Sequence, residues 1–213
     1  VPTLRRAGKD HQPPPAEVGD LQAADVRFLR EHAARTWMFF RTYSSRRNHW
    51  LIPDSVRADG SIAGRLSPTN LGMLLNARIA AVHFGYLTLP EFVAQTQQTL
   101  ATVQRLPRYR GHLLNWYDST TLRPLDPQFV STVDSGNLAA ALWTLKQAAL
   151  AFARQAPPDD TLWEGITDLA LLLCNDADPA ARAVGERVLK TRPQWRHALP
   201  ELKALVLRYA SGV

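Results

Sequence analysis

An all-α fold is what this sequence predicts, and three observations predict it. Apolar residues recur at helical spacing in several long segments, Ser, Thr, Asp or Pro stands at the segment starts, and Gly or Pro stands just beyond their ends. The first segment opens after Asp20, a residue that can cap, and runs LQAADVRFLREHAARTWMFF. Leu21, Ala24 and Phe28 share one stripe there, and Leu29, Ala33, Trp37 and Phe40 widen it. A loop with Pro53, Asp59, Gly60 and Gly64 follows. Ser67 or Thr69 then caps a second helix that Gly85 ends, since glycine alone takes the left-handed cap without a Cβ penalty. A third helix opens at Leu89-Pro90-Glu91, repeats Phe92, Thr96, Leu100 and Val103, and stops at Pro107. Only a short gap separates Gly85 from Leu89, which makes helices two and three antiparallel neighbours.

The stretch from Pro107 to Asn137 breaks the pattern with Gly111, Pro124, Pro127 and Gly136, yet it carries enough Leu, Trp, Tyr and Phe to pack as a structured loop. A fourth helix is expected over LAAALWTLKQAALAFARQ, with Asp134 or Ser135 near its entrance and Pro157-Pro158 past its exit. A fifth is expected from Thr161 to Leu173. Two shorter ones begin near Asp178-Pro179 and Leu199-Pro200, with Trp195 between them, because proline suits the first helical position. Residues 1–19, with Pro13, Pro14 and Pro15 in a row, read as an extended leader ahead of a helical unit over 20–213.

Composition excludes several classes. The chain has 213 residues with 46% hydrophobic and 21% charged, enough for one substantial core and too apolar for disorder throughout. Cys174 is the single cysteine, so no internal disulfide and no cysteine-rich zinc site is available. His11, His32, His49, His83, His112 and His197 lack metalloprotease spacing, and no phosphate-binding glycine loop or GxSxG turn occurs; no metal or cofactor is expected. The LALLLC run at Leu169–Cys174 is too short to span a bilayer, which reads as a soluble segment, cytoplasmic or joined to a membrane through a larger parent protein. The net charge of +6 comes from scattered arginines. The cluster RTYSSRRNHW at Arg41–Trp50 has no nucleic-acid module around it, so a solvated helix end is preferred over phosphate or RNA contact.

Polar and aromatic residues concentrate around one motif. Trp116 and Tyr117 can offer rigid amphipathic faces to a pyranose, and Asn115 and Asp118 can bond its hydroxyls. A packed loop, with Trp116 in the core and Asp118 capping a turn, competes with that reading. Helix capping likewise competes at Asp134, Ser135 and Asn137. Asp118 and Asp134 are the candidate catalytic carboxylates, but glycoside chemistry needs a pair roughly 5 to 9.5 Å apart and spacing in sequence does not supply it. His112 reads as a scaffold residue, and Arg108 and Arg110 as partners for Asp118 or solvated groups.

Four motifs in order, ARTWMFF, SPTN, RGHLLNWYD and LRPLDPQFVSTVDSGNL, resemble the glycoamylase-like domain of cyclic β-1,2-glucan synthases, most strongly over residues 34–143. The resemblance implies part of an (α/α) toroid, an incomplete one, that binds or processes β-1,2-glucan by glycosyl transfer or hydrolysis. It places Asn115, Trp116, Tyr117, Asp118, Asp134 and Asn137 around the glucan, supported by Ser67, Thr69, Asn70 and His112. It also implies that the central acid/base carboxylates belong to later family motifs resembling SGTMFEYLMP and WGISES, neither of which occurs in this sequence. A noncatalytic glucan-binding or helical assembly module is the alternative, with the remainder of a larger protein or another copy covering an exposed helical edge. Nucleic acid is not an expected partner.

Overall fold

The computed structural model describes residues 21–191. The extended leader, the capping residue Asp20, Trp195 and the helix expected near Leu199-Pro200 all lie outside the described residues. Six α-helices carry the chain: α1 (Ala23–Tyr43), α2 (Pro68–Phe84), α3 (Leu89–Arg105), α4 (Thr132–Arg154), α5 (Asp159–Cys174) and α6 (Pro179–Lys190).

Several starts follow from the expected chemistry. Ser67 caps α2, with Pro68 at its first position and Gly85 at its end in the left-handed region. Thr88 and Glu91 form a reciprocal box at the start of α3, and Asp178 followed by Pro179 opens α6. Two starts differ. Helix α1 is entered through Gln22, whose backbone N–H donates to Asp25, and its first half projects into solvent: Leu21, Phe28 and Leu29 are exposed and only Ala34, Trp37 and Phe40 are buried. The wide apolar surface expected there is buried only in its second half, where α2 and α5 pack. Helix α4 begins at Thr132, capped by the Ser131 hydroxyl that accepts from Asp134 N–H. Asp134, Ser135, Gly136 and Asn137 are therefore inside the first turns rather than before them.

Hydrogen bonds and close contacts fix the helix directions. Thr69 meets Asp134 and Asn137, Gly72 meets Asn137 and Ala141, and His83 meets Phe152, so α2 and α4 run parallel along their length. Helix α3 returns the chain between them, and α1 lies antiparallel to α2, with Arg30 near Phe84 and Ser44 near Arg78. A Cβ on Gly72 would stand 3.1 Å from the Ala141 Cβ, which shows how closely the parallel pair approaches.

Two clusters form the core. The larger joins all six helices through residues such as Trp37, Leu74, Phe92, Phe152, Leu169 and Val188. The smaller gathers Leu51, Leu66, Leu71, Leu106, Leu113, Leu114 and Tyr117 beneath the loop after α3. Three two-residue antiparallel ladders brace that loop and the segment between α1 and α2. They pair β1 (Ser55–Val56) with β2 (Ile62–Ala63), β3 (Arg65–Leu66) with β6 (Tyr117–Asp118), and β4 (Arg108–Tyr109) with β5 (His112–Leu113). The β3–β6 ladder ties the NWYD segment to the strand that leads straight into α2. Among the described residues no helix is long and apolar enough to cross a membrane.

Candidate functional site

The parallel approach of α2 and α4 brings two motifs together at their N-terminal ends. Thr69, in the first turn of α2, donates from Oγ1 to Asp134 Oδ1 at 2.5 Å, and Asn137 Nδ2 donates to the same Thr69 Oγ1 at 3.0 Å. Asn137 is exposed, and Thr69 and Asp134 are half-buried, so the cluster borders solvent. The α2 cap holds it from behind: Asn70 Oδ1 accepts from Ser67 N–H at 2.8 Å while Ser67 Oγ accepts from Asn70 N–H at 3.2 Å. Ser67 and Asn70 are buried and stand behind the cluster as framework.

The NWYD segment divides between surface and interior. Tyr117 has no exposed surface; its hydroxyl donates to Pro107 O at 2.7 Å and accepts from Leu114 N–H at 2.8 Å. Burial pushes that phenol up from its ordinary value. Asn115 is also buried, with Nδ2 donating to Pro127 O and Oδ1 accepting from Phe129 N–H, so its amide staples the loop that precedes α4. Neither side chain reaches the surface of this chain, and the face for a sugar that both were given becomes core and staple because a hydrogen-bonded loop closes over them.

Asp118 is occupied locally. Its Oδ1 accepts from Thr120 N–H at 3.0 Å, Thr121 N–H at 2.6 Å and Thr121 Oγ1 at 2.9 Å. Those bonds, the ones from Thr121 foremost, hold its carboxyl below the usual value, and a carboxyl kept ionised in this way is poorly suited to protonating a leaving oxygen. Asp118 and Asp134 thus belong to different hydrogen-bonded groups, one a turn and the other a helix junction. His112 is exposed on β5 and borders a cavity of about 210 Å³ with Pro68, Arg108, Ser135 and Leu138.

Trp116 is the half-buried aromatic of the segment, and it has a partner that sequence reasoning missed. The Arg65 guanidinium lies over its ring, 4.2 Å from the centroid, and Arg65 is itself held by Asp54 at 3.1 Å. The only signal in the sequence was Arg65 standing two residues before Ser67, and the β3–β6 register is needed to turn that into a stack. Arg110 lies over Tyr109 instead of Asp118, and Arg108 Nη2 donates to Val103 O. Among the described residues no group of three His, Cys, Asp or Glu side chains comes together that could hold a metal ion.

The chain is 38% identical over 149 residues to the cyclic β-(1,2)-glucan synthase NdvB of Rhizobium meliloti strain 1021, an alignment that takes in 68% of this chain and 5% of that protein. The resemblance carried by the motifs is borne out at this level, and the chain spans a small share of the relative it matches. No protein-family model matches. In three dimensions the chain overlays a candidate glucoamylase from Bacteroides fragilis with a TM-score of 0.47 and 13% identity, covering 83% of this chain and 37% of the other. It overlays an endo-β-1,2-glucanase from Chitinophaga pinensis, solved with sophorotriose and glucose, with a TM-score of 0.41 and 12% identity, covering 80% and 36%.

Proposed function

We propose, from the sequence likeness to a cyclic β-1,2-glucan synthase, that this chain is one part of an (α/α) toroid that holds β-1,2-glucan. The observation that carries the reading is the Thr69–Asp134–Asn137 cluster. It joins the SPTN and VDSGN motifs, the same residues that carry the likeness, at the adjoining N-terminal ends of two parallel helices. A carboxylate, an amide and a hydroxyl at the solvent border are the donors and acceptors that sugar hydroxyls take. Trp116, stiffened by Arg65, is the aromatic face of the site, and Asn115 and Tyr117 act on it from behind by fixing the loop.

Retaining or inverting chemistry needs two carboxylates flanking one bond. Asp134 is the one that the turn at Asp118 leaves over, so the reading has this chain hold the sugar while the reacting pair is completed from elsewhere in a longer protein. Calorimetric titration with linear β-1,2-linked glucose oligomers tests it. Saturable binding is expected, with about a tenfold loss for Trp116→Ala and for Asp134→Ala, since a stacked ring and a charged hydrogen bond each contribute roughly 1 to 3 kcal/mol. Affinity that survives both substitutions rejects this site. Release of shorter glucans by the isolated chain shows instead that it carries a complete catalytic pair.

Assembly is favoured by a separate observation. Helix α4 buries only Ala141, Leu145 and Phe152, while Val133 and Trp143 are 71% and 65% exposed and Leu142 and Leu150 are also open to solvent. Trp143 and Leu150, two turns apart and opposite the stripe of Ala141, Leu145 and Phe152, leave a face that a neighbouring surface would cover. Light scattering on the chain is expected to show self-association that Trp143→Glu abolishes; a monomer at high concentration leaves the rest of a larger protein as the cover.

A further inference from the structure

The segment Arg41–Trp50, set aside above as a solvated helix end, is folded into something more specific. After α1 it makes one short 3₁₀ turn at Arg46–Asn48, and His49 and Trp50 both take left-handed backbone, with φ of 55° and 62°. Neither is a glycine, so the surrounding contacts must hold them there. Trp50 O accepts from Ser44 Oγ at 3.1 Å and from Thr99 Oγ1 at 2.6 Å, and His49 O accepts from Thr102 Oγ1 at 2.9 Å. The strained loop is thereby laced onto α3 by hydroxyls.

Those hydroxyls lead to a buried charge. Arg78 of α2 has no exposed surface; Nη2 donates to Ser44 Oγ at 2.7 Å, and Nη1 donates to Thr99 Oγ1 at 2.8 Å and to Gln95 O at 3.1 Å. Its Nε finds no acceptor, and among the described residues no carboxylate forms an ion pair with it. Burial lowers its pKa to about 10, which leaves it cationic at neutral pH. A buried guanidinium met only by neutral dipoles is an uncompensated positive charge, and burial without a counter-charge is costly.

Immediately outside the wall formed by Gln95, the loop and α3 enclose a groove of about 850 Å³ lined by Arg46, His49, Trp50, Gln95, Gln98 and Arg105, with no acidic residue on its surface. An adjoining hollow of about 350 Å³ continues past Ser44 and Gln95 to Arg41. Arg41 has the charge of Glu91 nearby and is not counted here as a donor. Among the described residues Arg46 and Arg105 form no ion pair, and both are exposed. Two guanidiniums without a carboxylate partner face this concavity, Arg105 with one Nη2 bond to Thr102 Oγ1 at 3.2 Å that leaves its other donors open. With a third charge buried behind them they give a positive field in a low-dielectric wall, the arrangement that draws an anion.

We propose that this groove binds a phosphate-class anion, gripped by Arg46 and Arg105 over the buried charge of Arg78. It shares no lining residue with the Thr69–Asp134–Asn137 cluster and stands independently of the glucan reading. Titration of the isotope-labelled chain with inorganic phosphate at constant ionic strength tests it, read from the amide shifts of residues 46–50 and 94–105. The expected result is saturation in the millimolar range or tighter, weakened about tenfold or more in Arg46→Ala/Arg105→Ala, as loss of charge-assisted bonds requires. Both substitutions are at exposed positions and leave Arg78 in place, so the variant keeps its fold. Shifts that rise linearly without saturating, or an unchanged affinity in the double variant, overturn the proposal.

Discussion

Gly165→Ala is expected to cost about 3 kcal/mol of folding stability, one of the two largest losses of any single substitution considered, although it adds only one methyl group. Gly165 of α5 crosses Gly85 at the end of α2, and a Cβ there would fall inside the Gly85 carbonyl and 2.8 Å from Phe84 O. Both obstacles are backbone, which cannot swing aside as a side chain would. Gly85 cannot yield, because it holds the left-handed cap at φ 78° and its own Cβ would run into Thr161. The helices must move apart, and the packing around Ile166 and Leu169 opens with them. For a chain of this size the loss corresponds to a fall of roughly 6 to 12 °C in Tm. Gly136→Ala provides the contrast: nothing lies within 4 Å of its Cβ, so the substitution should be neutral or stabilising by up to about 1 kcal/mol. Thermal unfolding of the two variants side by side decides the point; equal Tm values would mean that α2 and α5 do not cross on these glycines.

The glycine crossing also shows where sequence reasoning reached its limit. Gly85 was legible as a helix end, because a glycine after an apolar run has a local physical meaning. Gly165 was not, since a glycine inside DDTLWEGITDLALLLC carries no sign of which helix approaches it. The same division holds elsewhere. Ser67 and Asp178 announced their helices through chemistry confined to four residues, whereas Thr88 goes unnamed ahead of Leu89-Pro90-Glu91, and the start of α4 is expected late because Ser131 sits in a polar run where Asp134 and Ser135 are equally good caps on paper. Exposure of Phe28 and Leu29 was illegible for a related reason: periodicity reveals which residues share a face, and only the neighbours decide whether that face is covered. At the candidate site the resemblance groups Thr69, Asp134 and Asn137 around one sugar, but the direct bonding among them is not legible in the residues, since 65 positions separate Thr69 from Asp134. Tyr117 and Asn115 show the reverse case, where residue chemistry suited a sugar and the loop's own unmet carbonyls and N–H groups took the side chains first.

Asp168→Ala is the other large effect, and its cause is charge rather than volume. Arg30 of α1 grips Asp168 of α5 through Nε at 2.9 Å and Nη2 at 2.7 Å, and the Tyr86 hydroxyl lies 2.9 Å from the same Oδ2 and 3.1 Å from Arg30 O. Burial and the neighbouring carboxylate both push the Tyr86 phenol well above its ordinary value, so it stays protonated and able to donate. The Asp168 side chain is only 10% exposed and that of Arg30 22%, which sets this pair apart from surface pairs such as Arg35–Glu31, worth a few tenths of a kcal/mol. Removing the carboxylate leaves the Tyr86 donor without its acid and a half-buried guanidinium with the exposed Glu164 as its remaining acidic partner at 3.3 Å, beside the Phe84 carbonyl. A loss of about 3 kcal/mol is expected, at the lower end of what breaking a buried pair costs because Glu164 can follow the charge. Asp168→Asn keeps an acceptor for Tyr86 and should lose roughly half as much. The double variant Arg30→Met/Asp168→Ala should recover part of the loss, since it removes the stranded charge along with its partner. Urea unfolding of the cycle measures this, and additive single-variant losses would show that α1 and α5 are held by their apolar contacts alone.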